Sequence, residues 1–309
     1  MIKSNSINLI LLLIIIIGTF ALLSKIFFRP QTTSQIANKK HQLIVSILPQ
    51  KQIVKKIAGD NFIVTELIPP GFSPETYDPT TQEMKIVSQA DIYFKIGPIA
   101  FEKTNLSKLK EVNPSMLIID TSINNTFRQI EEHTHGDEDT HNHTEEIDPH
   151  IWLAPRMVKK QAEVIFNSLV EIYPEYKDEF TTNFGQLNKD LDKLDQELKT
   201  AFAPIKGKTM LVYHPAFGYL ARDYDFFQEY IQIEGKDPSI ADIQNIINEA
   251  KKDDIHVIFV QKQFSQDSAK AIADNIDGVV IQIDPLDPDY FNNMKIMAQT
   301  ISSALEMFK

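Results

Sequence analysis

The chain has 309 residues, 43% hydrophobic and 24% charged, with a formal net charge of −11 and no cysteine. That length predicts two domains with ample chain for two buried cores. The acidic balance speaks against a nucleic-acid partner, which would favour a basic face. The missing cysteine removes disulfides, thiolate metal sites and the lipid-modified cysteine of a bacterial lipoprotein, so any metal must be held by nitrogen and oxygen.

Leu9 to Leu23 is an almost uninterrupted apolar run behind Lys3, extended past Lys25 by Ile26, Phe27 and Phe28. A positive n-region followed by an apolar h-region is the pattern of an export segment. The run is short for a bilayer span of about 20 residues, but Phe27 and Phe28 lengthen it if Lys25 snorkels. A cleaved signal and a retained anchor through residues 9–28 therefore stand as alternatives for residues 1–30, and both place the body outside the cytoplasm. Residues 31–40 are polar and are expected to be a tether.

Residues 41–173 alternate between apolar runs and amphipathic stretches. Leu43 to Leu48 reads as a buried strand ended by Pro49, and Gln50 to Ala58 as a helix stopped by Gly59. Phe62 to Ile68, Ile92 to Ile96 and Met116 to Ile119 read as further strands, with helices expected over Gln82 to Gln89 and Leu106 to Val112. Such alternation argues for a layered α/β lobe with a mostly parallel sheet. The segment Pro69 to Thr80 holds four prolines and one glycine and is a loop. It carries Glu75, just beyond a strand, where open α/β sheets bind ligands.

The tract 131–146 places His133, His135, His141 and His143, four of the chain's eight histidines, among acidic residues. It is too polar to fold alone and compositionally suits weak, exchangeable metal contact. Asp148-Pro149-His150-Ile151-Trp152-Leu153 follows, with the single tryptophan. Asp148 is placed to orient the His150 ring.

Pro155 opens a helix, and Pro174 suits the first turn of a longer one. Phe180, Phe184, Leu187, Leu191, Leu194, Leu198 and Ala201 are spaced alternately four and three apart, an a/d seam. A continuous helix over 174–203 is expected to pack inside the molecule along both lobes rather than to pair two chains. Residues 204–309 repeat the strand–helix alternation. Thr209 to Tyr213 is a strand ending at His214, Ile255 to Val260 is a buried strand, and Val279 to Ile283 leads into Asp284-Pro285-Leu286. Ser239 is expected to cap a helix over Ile240 to Lys251, with another helix over Asp267 to Asn275. His256 is read as structural and His41 as a strand-edge residue.

Glu75, His150, His214 and Asp284 all sit at strand ends or just before helices. Two imidazoles and two carboxylates suit tetrahedral Zn²⁺, and bidentate carboxylates would admit Mn²⁺ or Fe²⁺. Spacing alone does not group the four.

From Leu43 onward the chain resembles the solute-binding proteins of zinc and manganese ABC transporters, the periplasmic zinc-binding and TroA-like group. The resemblance rests on Pro70-Gly71-x-x-Pro74-x-x-Tyr77-x-Pro79-Thr80, Asp148-Pro149-His150-Ile151-Trp152, His214-Pro215-Ala216-Phe217-Gly218-Tyr219, the turn over residues 235–239, and Asp284-Pro285-Leu286. It implies two similar α/β lobes joined by one long backbone helix, with an ion in the cleft held by Glu75, His150, His214 and Asp284. It also implies delivery to a membrane permease, and an acidic histidine-rich loop like that of the zinc members. One position departs: the family usually has histidine where this chain has Glu75. Zn²⁺ is the first expectation for the cargo, with Mn²⁺ or Fe²⁺ the alternative that the extra carboxylate opens. A metallohydrolase with Glu75 as general base is the rival from another class.

Overall fold

The computed structural model describes residues 40–130, 147–232 and 238–307. The export segment, the tract with His133, His135, His141 and His143, and part of the turn over residues 235–239 lie outside the described residues. Among those described, no helix is long and apolar enough to cross a membrane.

Two parallel sheets form the body. In the first lobe, strands β1 (His41–Val45), β2 (Phe62–Glu66), β3 (Ile92–Lys95) and β4 (Leu117–Asp120) alternate with helices α1 (Leu48–Ala58), α2 (Thr81–Val87) and α3 (Ala100–Val112), and the sheet order is β2-β1-β3-β4. In the second, β5 (Thr209–Val212), β6 (Phe227–Tyr230), β7 (Val257–Gln261) and β8 (Val279–Ile283) alternate with α6 (Gly218–Tyr224), α7 (Ile240–Lys252) and α8 (Asp267–Asn275), in the order β6-β5-β7-β8. The two orders are the same, as expected of similar lobes. Each has a switch point where the chain reverses direction across the sheet, between β1 and β3 and between β5 and β7. Crevices at the carboxyl ends of strands beside such points are where open α/β sheets bind ligands. The inner strand β7 is an apolar run buried at every residue, as a parallel strand covered on both faces is.

Between the lobes run α4 (Pro155–Ile172) and α5 (Lys177–Phe202), the latter preceded by a single tight turn at Pro174–Tyr176 and followed by another at Ala203–Ile205. The 26 residues of α5 span about 39 Å at ~1.5 Å per residue. Phe180, Leu187, Leu191, Leu194, Leu198 and Phe202 are buried along it, and Phe184 stacks on Phe166 of α4. Its partners are α1 and α4 on one side and the C-terminal helix α9 (Tyr290–Met307) on the other. The a/d seam is therefore filled from within the chain. One continuous apolar core passes from β1 and β3 through α4 and α5 to α9, and a smaller one lies against β7 and α8.

Some local expectations change. Pro49 does not end a strand; it sits in the first turn of α1, where its missing N–H is no loss. Helix α3 begins six residues before Leu106, at Ala100, because Glu102 in its first turn accepts the Ile96 and Gly97 amides. His41 opens β1, at the strand's edge as read from the sequence, and packs on Phe62 and Tyr173. Ser239 caps α7 through a reciprocal box with Asp242, as read from the sequence.

Candidate metal centre

The Glu75 loop leaves β2 and is stiffened by its own turn. The Glu75 amide donates to Ser73 Oγ at 3.2 Å, and the Tyr77 amide donates to Ser73 O at 3.1 Å. Phe101 N donates to Pro74 O at 2.9 Å, pinning the loop to the start of α3. Thr80 then caps α2 in a box with Glu83. These contacts leave the Glu75 side chain pointing into the cleft with about a quarter of its surface exposed (28%).

His150 enters on the segment before the tight turn Ile151–Leu153. Its ring Nδ1 lies 2.8 Å from Asp148 Oδ1, which also accepts the His150 amide at 3.0 Å. Asp148 is fully buried, and Arg128 Nη1 reaches its other oxygen at 3.2 Å. Tyr219 Oη donates to Asp148 O at 2.8 Å and accepts the Arg128 amide at 3.0 Å. Close packing here requires Gly218, where a β-carbon would lie 1.4 Å from Arg128 Nη1.

His214 follows β5 at the switch point beside β7. Gln261, the last residue of β7, grips its backbone twice: Oε1 accepts the His214 amide at 3.2 Å, and Nε2 donates to the His214 carbonyl at 2.6 Å. The His214 ring donates Nδ1–H to Gln232 Oε1 at 2.7 Å, and Phe264 stacks on the ring face.

Asp148, an acceptor only, sets an Nδ1–H on His150, and the amide oxygen of Gln232 favours the same on His214. Each imidazole then turns an Nε2 lone pair into the cleft. The two Nε2 atoms lie 3.1 Å apart, and Glu75 Oε1 lies 2.9 Å from His214 Nε2. Among the described residues, Glu75, His150 and His214 are the one group of potential ligands whose donor atoms all lie within 4.8 Å of one another. Three acceptors so placed demand a positive centre between them, either a proton or a metal ion. Burial raises the Glu75 pKa, but the hydrogen bond with His214 and the charges of His214 and His150 outweigh it and hold the carboxyl below its ordinary value. The carboxylate is thus in its metal-binding form. The donor set fits a divalent ion of borderline hardness.

Asp284 stands outside this trio. Its Oδ1 accepts Gln263 Nε2 at 2.9 Å and the Leu286 amide at 3.0 Å, and Lys262 Nζ lies 3.7 Å from Oδ2. Its loop nevertheless borders the cleft through Pro285 and Leu286, and Trp152 Nε1 ties the loop to the first lobe by donating to Pro285 O at 2.9 Å. The cleft, about 420 Å³ with its open mouth, is walled by Ile99, Trp152, Ala216 and Phe264.

The sequence reading singled out Asp148 but not Arg128, Gln232, Gln261 or Gln263. A polar residue closing the apolar run Val257-Ile258-Phe259-Val260 was the available signal for Gln261. Nothing local marked Arg128, which acts from 20 residues away.

Comparison with known proteins bears on the fold and family. The family described as ZnuA, zinc-uptake complex component A, periplasmic, matches residues 43–304. A candidate metal-binding protein of Chlamydia trachomatis serovar D is 28% identical over 272 residues, covering 87% of this chain and 93% of its own. The zinc-binding protein AdcA of Streptococcus pyogenes serotype M3 is 26% identical over 307 residues, 90% of this chain and 59% of that longer protein. A crystal structure of ZnuA superposes with a TM-score of 0.79 at 36% identity, covering 85% of this chain and 98% of the other. The two lobes, the long helix between them and a match over residues 43–304 meet in one conclusion: the chain belongs to the ZnuA family of metal-binding solute-binding proteins that serve ABC transporters.

Proposed function

We propose that this protein captures Zn²⁺ outside the cytoplasm, holding it between its lobes through Glu75 Oε1, His150 Nε2 and His214 Nε2 with Asp284 as the fourth ligand, and releases it to the permease of an ABC transporter. The observation that carries the reading is the convergence of the three ligand atoms within 4.8 Å, with both imidazoles backed so that only Nε2 faces the cleft. The ion replaces whatever proton the trio shares, so uptake releases protons and weakens in acid. Ligands come from both lobes: Glu75 and His150 from the first, His214 and Asp284 from the second. Occupancy therefore ties the lobes together, and a permease that reads their relative position can tell loaded from empty. The export segment at residues 9–28 keeps the body on the outer face, and the tract with His133, His135, His141 and His143 gathers ions weakly.

The second reading, Mn²⁺ or Fe²⁺ as cargo, is favoured by Glu75 itself, since a carboxylate hardens the site relative to a third imidazole. Competitive titration of Zn²⁺, Mn²⁺ and Fe²⁺ against chelators tests the assignment. One tight Zn²⁺ per chain, lost in His214→Ala, supports it; no ion held more tightly by the wild type than by the variant overturns it.

A further inference from the structure

The register of the second sheet places Lys262 and Gln263 beside Asp284. Strands β7 and β8 are parallel neighbours with Gln261 opposite Ile283, and the Lys262 amide donates to Ile283 O at 3.0 Å. The residues just beyond each strand end therefore lie side by side. Gln263 takes advantage of this, donating Nε2–H to Asp284 Oδ1 at 2.9 Å while itself lining the cleft. The Leu286 amide occupies a second position on the same oxygen, and Lys262 Nζ stands 3.7 Å from Oδ2. The Asp284 carboxylate is thus already engaged, by two hydrogen bonds on one oxygen and by a lysine beside the other.

We propose that Gln263, with Lys262 beside it, competes with the ion for the Asp284 carboxylate and so sets how tightly the cargo is held and how fast it leaves. The proposal rests on the reading of the cleft as a Zn²⁺ site. An ion bound to Glu75, His150 and His214 has three ligands, and a fourth completes the tetrahedron. Recruiting Asp284 through Oδ1 means giving up the Gln263 hydrogen bond, a bond to a charged acceptor and so stronger than a neutral pair. When the ion leaves, the amide retakes the carboxylate. A carrier must release as well as capture, and an internal competitor for one ligand lowers affinity without altering the other three. Gln263 is in this sense a positioning residue: it touches Asp284, and through Asp284 the ion.

The test is a double-mutant cycle on the full-length chain, kept in detergent, with Zn²⁺ as probe and affinity read by chelator competition and release by stopped flow. Gln263→Met should tighten Zn²⁺ about tenfold, the factor that about 1.4 kcal/mol represents, and slow its release by a similar factor. Asp284→Asn should weaken binding. Adding Gln263→Met to Asp284→Asn should change nothing further, because the group being competed for is gone. A purely structural role for Gln263 would carry the same effect into both backgrounds, and that result overturns the proposal. So does a Gln263→Met variant that binds as wild type or more weakly, or an Asp284→Asn variant with unchanged affinity. If Gln263→Met fails to fold, Lys262→Met serves in its place, since Lys262 is largely exposed (60%); about threefold tightening, again absent with Asp284→Asn, is expected. A wild type without tight Zn²⁺ binding defeats the carrier reading itself, whereas the cycle's failures above leave that reading standing.

Discussion

Asp148 holds His150 from behind: its Oδ1 lies 2.8 Å from His150 Nδ1, and its Oδ2 is paired with Arg128 at 3.2 Å. His214 has no such charge behind it; its Nδ1–H meets the neutral amide oxygen of Gln232 at 2.7 Å. The two imidazoles are therefore polarised unequally, and His150 is the stronger donor toward a cation. Asp148→Asn keeps the size of the side chain but removes the charge. It should weaken Zn²⁺ binding about 10–100-fold, with Gln232→Leu weakening it less. Chelator competition measures both, and equal losses would show that the carboxylate has no special role.

In the proposed site, Glu75 is the ligand that sets its hardness. Glu75→His should shift preference toward Zn²⁺ over Mn²⁺ in competitive titration, since imidazole suits zinc and carboxylate suits manganese. Unchanged selectivity would remove Glu75 from the ligand set.

Glu102 yields a prediction in pH. It is buried and accepts the Ile96 and Gly97 amides at 2.7 and 2.9 Å, with a further bond from Ser46. Burial pushes its carboxyl up to about 7, against the pull of those hydrogen bonds and of Lys95. Its folded pKa thus exceeds the ordinary value, so between about pH 4.5 and 7 the unfolded chain gives up a proton that the folded chain keeps. Stability falls as pH rises through that window, by an amount on the order of 3 kcal/mol. Glu102→Gln lacks this dependence but leaves one backbone amide without its acceptor. The difference in melting temperature, variant minus wild type and with chelator present, should rise across the window and level off above it. A flat difference would contradict the shift.

Helix α5 belongs to both lobes, so its core residues should report on the whole molecule. Leu191 is fully buried within the continuous apolar core. Leu191→Ala should destabilise by about 2–5 kcal/mol and keep a single denaturant transition. Two transitions, with only one of them shifted, would mean that the lobes unfold separately.

Deleting residues 132–144 should leave the tight site intact and abolish weaker ones, as counted by calorimetry. Loss of the tight site would overturn the accessory reading of His133, His135, His141 and His143.

The fold was legible because its signals are local. Alternating apolar runs marked the parallel strands, and the seam from Phe180 to Ala201 marked the long helix. Of the site, Glu75 and His214 stood out by position after strands and His150 by its place just before a helical turn, and the resemblance to a family grouped them with Asp284. What sequence could not show was contact across the sheet and between the lobes. Arg128 reaches Asp148, Gln232 reaches His214, and Gln263 reaches Asp284 only because strand order and register bring distant segments together. The early start of α3 was hidden for a similar reason, since Glu102 is stabilised there by amides of the preceding loop rather than by helix periodicity.

The central claim is tested most directly by anomalous diffraction at the zinc edge from crystals of the zinc-loaded protein. The account predicts one strong peak in the cleft, within about 2.0–2.2 Å of Nε2 of His150, Nε2 of His214 and a carboxylate oxygen of Glu75. A peak elsewhere on the body, or one separated from Glu75 by a water molecule, would contradict it.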